Sequence, residues 1–160
     1  MGKKVVVAGV GMTPFVKPGQ NEDYTVMGGK AINMALEDAG IEYDKIQQAY
    51  AGYVYGDSAC GQRVLYEVGM TGIPVVNVNN NCSTGSSALF LARQAVESGT
   101  VDCALAVGFE QMTPGALAEH WTDRPSPLGR FNKLTDELTQ DFTSPMALKM
   151  FGGAGIEHQK

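Results

Sequence analysis

The sequence is short of positive charge, cysteine and long apolar runs, and each shortage excludes a class of protein. Its 160 residues carry 12 Lys and Arg against 17 Asp and Glu, a formal net charge of -5. Nucleic acids and anionic membranes are bound through clustered cations, so we expect no surface for either. A membrane-spanning helix needs roughly 18 consecutive apolar residues. No run approaches that length, and no membrane span is predicted.

The cysteines are few, odd in number and far apart, at positions 60, 82 and 103. This pattern disfavours a disulfide framework. No second Cys or His stands at the spacing of a zinc site, so no metal centre is predicted either. The chain enters a strand-like run at Val5 without the apolar core of a signal peptide, which favours an intracellular protein.

Apolar runs alternate with helical patterns along the first two thirds of the chain. The predicted strands are Lys4–Val10, Ala49–Tyr55, Val75–Val78 and Asp102–Phe109. The predicted helices are Tyr24–Ala39, Arg63–Val68, about Cys82–Ser98 and, after a gap, Ser144–Glu157. Strand and helix in alternation are typical of an α/β fold with a mostly parallel sheet. The stretch Met112–Ser144, rich in Pro and Gly, is expected to be mostly irregular.

Two of these elements have unusual compositions. The run Lys4–Val10 is continuously apolar after its first residue and rich in β-branched valine, as in a strand buried on both faces of a parallel sheet. The helix from Cys82 carries no charge before Arg93. An ordinary surface helix has a charged face, so this helix is predicted to be buried all round.

Cys82 is the strongest candidate for chemistry. It follows a predicted strand and opens a helix, where unpaired backbone N–H groups favour the thiolate and can stabilise an oxyanion. A buried structural cysteine explains the same position equally well. Cys103 lies within an apolar strand and is interpreted as core packing, and Cys60 as a packing or turn residue.

Other motifs are weaker. The pair Gly9 and Gly11 resembles a dinucleotide-binding turn, but Pro14 stands where the third Gly is needed, so no nicotinamide or flavin site is predicted. His120 and His158 have no neighbour in the sequence that indicates a Cys–His pair. A small cationic patch for a phosphorylated ligand and a solvated loop are both compatible with three cations in the last third, Arg124, Arg130 and Lys133.

The segment Asn77–Leu89, NVNNNCSTGSSAL, resembles the thiolase superfamily, and within it the sterol carrier protein X type. Further stretches agree with the same family in the same order along the chain. They are GVGMTPF at Gly9–Phe15, VKPG at Val16–Gly19, GYVYGDSACGQR at Gly52–Arg63, GMTGIP at Gly69–Pro74, GFEQM at Gly108–Met112 and MFGGAGIEH at Met150–His158. The resemblance therefore extends over nearly all 160 residues.

The resemblance implies thiolytic cleavage of 3-ketoacyl-CoA, or the reverse condensation, through an acyl-enzyme on Cys82. The Cys82 backbone N–H is then one donor of an oxyanion hole. Met150 and Phe151 match family positions near the acyl pocket. Coenzyme A and acyl-CoA are implied as substrates with no bound cofactor, and a homodimer is implied through Val75–Asn79.

The family's organisation implies a thiolase-like fold of two similar halves with central helices between two sheets. Residues 1–111 match the core of the N-terminal half, and residues 112–160 match the beginning of a loop domain. The C-terminal half, which carries the activating His and a second acid/base Cys, has no counterpart in the 160 residues. The isolated segment is therefore expected to be inactive. The implied compartment is the cytoplasm in a prokaryote or the peroxisome in a eukaryote.

Three alternatives remain open from the sequence. One is a non-catalytic acyl-CoA or lipid-binding module built on the same half-fold. Another is an assembly half that pairs with a separate chain. The third, a ketoacyl-synthase or hydroxymethylglutaryl-synthase type of condensing enzyme, shares the fold but fits the NNNCSTG context less well than a thiolase does.

Overall fold

The computed structural model describes residues 2–115 and 120–160, which fall into two compact units divided near residue 116. The first unit contains α1 (Tyr24–Ala39), β1 (Gln48–Gly52), α2 (Cys60–Tyr66), β2 (Val75–Val78), α3 (Thr84–Glu97) and β3 (Ala104–Gly108). The second contains α4 (Gly129–Thr139) and α5 (Met146–His158). Within the described ranges, no helix is both long enough and apolar enough to cross a membrane.

The sheet of the first unit confirms the predicted α/β class. Its three strands run parallel in the order β2-β1-β3, with Ala49 of the central strand opposite Val75 on one side and Leu105 on the other. Side chains alternate between the two faces of a strand. Ala49 and Ala51 therefore enter one core cluster, whereas Tyr50 enters another.

Helices cover the sheet on both faces. On one face, Ile32 of α1 and Val64 and Leu65 of α2 pack on the central strand in the larger core cluster. On the other face, α3 supplies three buried alanines, at 88, 92 and 95, against Tyr50. Alanines at this helical spacing allow the α3 backbone to lie close to the sheet. The strand at Val75–Val78 has the predicted bounds, and α3 begins two residues later than predicted.

The predicted strand Lys4–Val10 was wrong. This segment forms no strand, and Val6 and Val7 are 68% and 72% exposed. Instead its backbone lies against α1, where a Cβ on Gly9 would stand 2.4 Å from the carbonyl oxygen of Ala35. β1 and β3 pair directly with each other along five residues, and the segment joins neither open edge of the three-stranded sheet.

The prediction that the helix after Cys82 is buried all round does not hold for this structure. α3 packs on the sheet along one face, but Leu89 and Phe90 on its other side are 56% and 55% exposed. Among the described residues of the first unit, nothing covers this second face. The absence of charge before Arg93 therefore marks an apolar surface and not a fully enclosed helix.

The second unit contains two helices that pack on each other, and the prediction of mostly irregular chain at Met112–Ser144 holds for its described residues except at α4, which was missed. Helix α4 was not predicted, because the Pro-rich segment before it favours irregular chain. Residues 116–119 of the same stretch lie outside the described residues. α5 begins at Met146, two residues later than the predicted helix, with Pro145 in the capping position. The Lys149 ammonium is buried against the Asp136 carboxylate and also donates to the carbonyl of Asp141 at 2.9 Å.

Candidate functional site

The carboxyl ends of the three parallel strands meet at one edge of the sheet. The segments that leave this edge are 53–59 after β1, 79–83 after β2 and 109–113 after β3. In open α/β sheets, ligands bind outside the carboxyl ends of the strands. This edge, with Cys82 in the segment after β2, is therefore the candidate site.

Cys82 lies on a tight turn that leads into α3. Its side chain is exposed, and the helix begins two residues later at Thr84, with Ser83 as the capping residue. The preceding Asn81 has a φ of 49°, in the left-handed region. Asn adopts this conformation more readily than most residues because its short polar side chain bonds locally. The turn thus presents the Cys82 thiol to solvent in front of a helix N-terminus.

Thr84 holds the turn on both sides of Cys82. It is 6% exposed, and its hydroxyl donates to the carbonyl of Asn81 at 2.6 Å. The same hydroxyl accepts the backbone N–H of Asn80 at 2.8 Å. The Ser83 hydroxyl adds a bond to the Asn80 carbonyl at 2.8 Å. These bonds fix the backbone that carries the thiol.

Gly52 allows the first turn of α3 to rest on the end of β1. A Cβ at Gly52 would stand 2.9 Å from the Thr84 methyl carbon and 3.2 Å from the Thr84 carbonyl oxygen. Any side chain there would push the helix away, since real Cβ contacts are not that short. The position of the Cys82 turn therefore depends on where β1 ends.

Three consecutive residues after β3 connect the segments at this edge. The Phe109 ring stacks on Tyr53 and Tyr24, with centroids 5.2 and 5.5 Å apart. The Glu110 carboxylate accepts the backbone N–H groups of Val54 and Tyr55. Sequence reasoning used these residues only as part of the family resemblance and missed their roles, because each partner lies far away along the chain.

Gln111 completes the same connection. Its side-chain oxygen accepts the N–H of Tyr24 at 2.9 Å, and its side-chain amide approaches Asp23 at 3.4 Å. The first turn of α1 is thereby capped by a residue from the end of β3.

A cleft of about 500 Å³ opens beside this connection. It is lined by Tyr24, Tyr55, Asp57, Cys60 and Gln111, among others, but not by Cys82. A hydrogen bond with the Cys60 thiol raises the pKa of Tyr24 above its ordinary value. Cys60 itself is 6% exposed and packs in the core.

The remaining sequence candidates lie elsewhere. Burial raises the pKa of the Cys103 thiol, which disfavours the reactive thiolate form at this position. Met150 and Phe151 lie on α5 of the second unit, where Phe151 is 75% exposed, and their role stays a prediction. No group of three or more His, Cys, Asp or Glu residues could hold a metal ion among residues 2–115 and 120–160.

The cationic patch considered from the sequence is largely paired. Arg124 binds the Asp123 carboxylate at 2.7 Å and lies 4.6 Å from the centre of the Trp121 ring. Lys133 lies 3.9 Å from Glu137. These contacts favour the interpretation of a solvated surface over that of a phosphate site.

Comparison with known proteins identifies the family. The model of the thiolase N-terminal domain matches residues 5–154. The chain is 49% identical over 162 residues to sterol carrier protein 2 of Gallus gallus, a match that covers all of this chain and 30% of that protein. It is 39% identical over 114 residues to a benzoylsuccinyl-CoA thiolase subunit of Thauera aromatica, covering 69% of this chain and 29% of the relative.

The solved structures agree on the fold. The β-ketoacyl-[acyl carrier protein] synthase III of Thermus thermophilus superposes with a TM-score of 0.51 at 20% identity, covering 66% of this chain and 33% of that one. The chain thus spans 30%, 29% and 33% of the length of these three proteins.

Proposed function

Because the chain belongs to the thiolase family and matches its N-terminal domain, we propose that it supplies the nucleophile, Cys82, for thiolysis of 3-ketoacyl-CoA or the reverse condensation. The observation that carries this proposal is the exposed Cys82 on a hydrogen-bonded turn before α3, at the carboxyl edge of the sheet. A thiolase-type acyltransferase is the coarser class that the family match supports.

The proposed reaction has two halves. The Cys82 thiolate attacks the keto carbon of the substrate, and the backbone N–H of Cys82 is proposed to stabilise the developing oxyanion. The bond between the keto carbon and the neighbouring carbon then breaks, and the departing carbanion takes a proton to give acetyl-CoA. The thiol of free coenzyme A next attacks the acyl-cysteine, forms the shortened acyl-CoA and returns the thiolate.

Proton transfer in this scheme needs an acid and a base. We propose that a His and a second Cys from the C-terminal half of the family provide them, and that residues 1–111 and 112–160 represent the core and the beginning of the loop domain. Loss of general acid–base assistance lowers rates by roughly 10²–10⁴. The 160 residues alone are therefore proposed to be inactive in thiolysis.

The substrate and partner proposals follow from the same family. Met150 and Phe151 are proposed to line the acyl pocket, with coenzyme A and acyl-CoA bound as substrates and no resident cofactor. A homodimer is proposed through Val75–Asn79. β2 is an outer strand of the described sheet, which leaves one side of its backbone available for pairing. The proposed compartment is the cytoplasm or the peroxisome.

A second candidate function is non-catalytic carriage of acyl-CoA or another lipid. It is favoured by the name of the relative from Gallus gallus, sterol carrier protein 2, and by the position of the 500 Å³ cleft away from Cys82. In this alternative, binding is independent of the Cys82 thiol.

The test uses the full natural polypeptide that contains these residues, with C82A and C82S variants. For the thiolase proposal we expect thiolysis of a 3-ketoacyl-CoA series by the wild type, an acyl adduct on Cys82 by mass spectrometry, and loss of both in the two variants. C103S is the matched control and should retain turnover. Full turnover by C82A rules out Cys82 as the nucleophile, whereas acyl-CoA binding without turnover in the wild type favours the carrier.

A further inference from the structure

Just past the carboxyl ends of β1 and β3, backbone hydrogen bonds between the two chain segments stop, and the side-chain carboxylate of Glu110 connects the segments instead. The Phe109 N–H donates to the carbonyl of Gly52 at 3.1 Å, which is the last backbone hydrogen bond between β1 and the segment after β3 among the described residues. One residue further, the Glu110 side chain accepts the N–H groups of Val54 and Tyr55 at 2.9 and 2.8 Å. Both oxygens of the carboxylate are used, one for each N–H.

The end of β1, next to the residues that Glu110 binds, also contacts the turn that carries Cys82. Gly52 lies directly under Thr84, and Tyr53 N–H donates to the carbonyl of Val78, the last residue of β2, at 3.3 Å. Thr84 in turn bonds to Asn80 and Asn81 on the other side of Cys82. A continuous set of contacts therefore leads from Glu110 through the end of β1 to the turn that carries Cys82.

We infer that Glu110 is a positioning residue for Cys82: its carboxylate fixes residues 54 and 55, and through Gly52 and Thr84 the turn that carries the thiol. This inference rests on the proposed function for its effect on turnover, although the geometry of the turn can be measured without turnover. Glu110 itself makes no contact with the Cys82 thiol among the contacts of the described residues.

The chemistry of the side chain makes the inference specific. Glutamine has only one acceptor oxygen, and its amide group would face the second N–H with hydrogens. E110Q therefore keeps one of the two hydrogen bonds, and its side chain has nearly the same size as that of glutamate. E110D keeps both acceptor oxygens and the charge but is one methylene shorter. Both variants should therefore alter the turn that carries Cys82, E110Q because one bond is lost and E110D because both oxygens are drawn back from the two N–H groups.

The experiment uses the full natural polypeptide and measures alkylation of Cys82, Cys60 and Cys103 by iodoacetamide with mass-spectrometric readout. We expect E110Q to change the rate at Cys82 several-fold, because the reactivity of a thiol depends on its exposure and its immediate surroundings. The rates at the other two cysteines should stay within about twofold.

In the thiolysis assay we expect kcat to fall while KM stays nearly constant. E22Q, at an exposed ion pair with Lys30, is the matched control and should behave as the wild type.

Two results overturn the inference. An unchanged rate of Cys82 alkylation in E110Q means that the two hydrogen bonds of Glu110 do not influence the turn that carries Cys82. A parallel change at all three cysteines means that Glu110 supports the fold in general. If E110Q does not fold, E110D is judged by the same two criteria. If the wild type performs no thiolysis but E110Q alters alkylation of Cys82 alone, the positioning role stands and the proposed function fails.

Discussion

At the scale of single residues, the Cys82 turn depends on backbone geometry that few side chains accept. Asn81 has a φ of 49°, and its carbonyl accepts the Thr84 hydroxyl at 2.6 Å. The left-handed conformation costs an ordinary L-residue roughly 1–2 kcal/mol, and a β-branched side chain fits it worst. Glycine adopts it without that cost.

We therefore predict that N81V lowers the free energy of unfolding by about 1–2 kcal/mol and that N81G changes it much less. The physical reason is steric conflict between the valine side chain and the turn backbone. Urea denaturation of both variants beside the wild type measures the difference. Equal stability of N81V and N81G would contradict the structure of the turn.

The residues that build the site were only partly predictable from the sequence. Cys82 was singled out because a helix pattern directly follows a strand pattern, which are both local signals. Glu110 was not, since its partners Val54 and Tyr55 lie 56 and 55 positions away in the sequence. The role of Gly52 was hidden for the same reason, because only the folded chain brings Thr84 over it.

At the scale of elements, three of the four predicted strands are present. The exception, Lys4–Val10, shows that a strand-like composition does not by itself place a segment in a sheet. The run Lys4–Val10 has strong strand propensity, but propensity alone does not decide whether a segment joins a sheet. Here β2 and β3 each keep one open edge, yet the segment lies on α1 through Gly9 and Gly11 instead. Composition alone cannot decide between these arrangements, because the choice depends on contacts between distant elements.

The hairpin of α4 and α5 joins its helices through a polar contact. Lys149 is 8% exposed and binds the carboxylate of Asp136, whose side chain is 31% exposed. Hydrogen bonds from Ser144 and Thr143 hold the pKa of Asp141, in the connection, well below its usual range. The connection is thereby ordered around charged groups, while Phe151 on α5 and Leu138 on α4 remain exposed.

We predict that K149M destabilises the second unit by about 1–2 kcal/mol, less than for a fully buried pair because water still reaches Asp136. The loss arises because Asp136 and the Asp141 carbonyl are left without their cation. The double variant K149M/D136L should recover part of it, since it removes the unpaired charge. Hydrogen exchange at the backbone amides of α4 and α5, followed by mass spectrometry, measures the stability of this unit. A double variant less stable than K149M contradicts the prediction.

At the scale of the whole molecule, α3 exposes a surface that the sheet cannot cover. Its alanines face Tyr50, and Leu89 and Phe90 face away with more than half of their surfaces exposed. In the family the corresponding helix is expected between two sheets. Since the chain spans about 30% of its relative from Gallus gallus, the remaining length of such proteins is the proposed cover.

We predict that the 160-residue chain self-associates in solution through this face of α3, because exposed contiguous apolar surfaces promote association. L89E/F90E should sediment with a lower average mass than the wild type at the same concentration, since two charges would have to be buried in the contact. M70E, at another apolar side chain that is 83% exposed but lies outside α3, is the matched control and should associate as the wild type does. A monomeric wild type, or an equal response to M70E, means that the exposed face of α3 does not drive association.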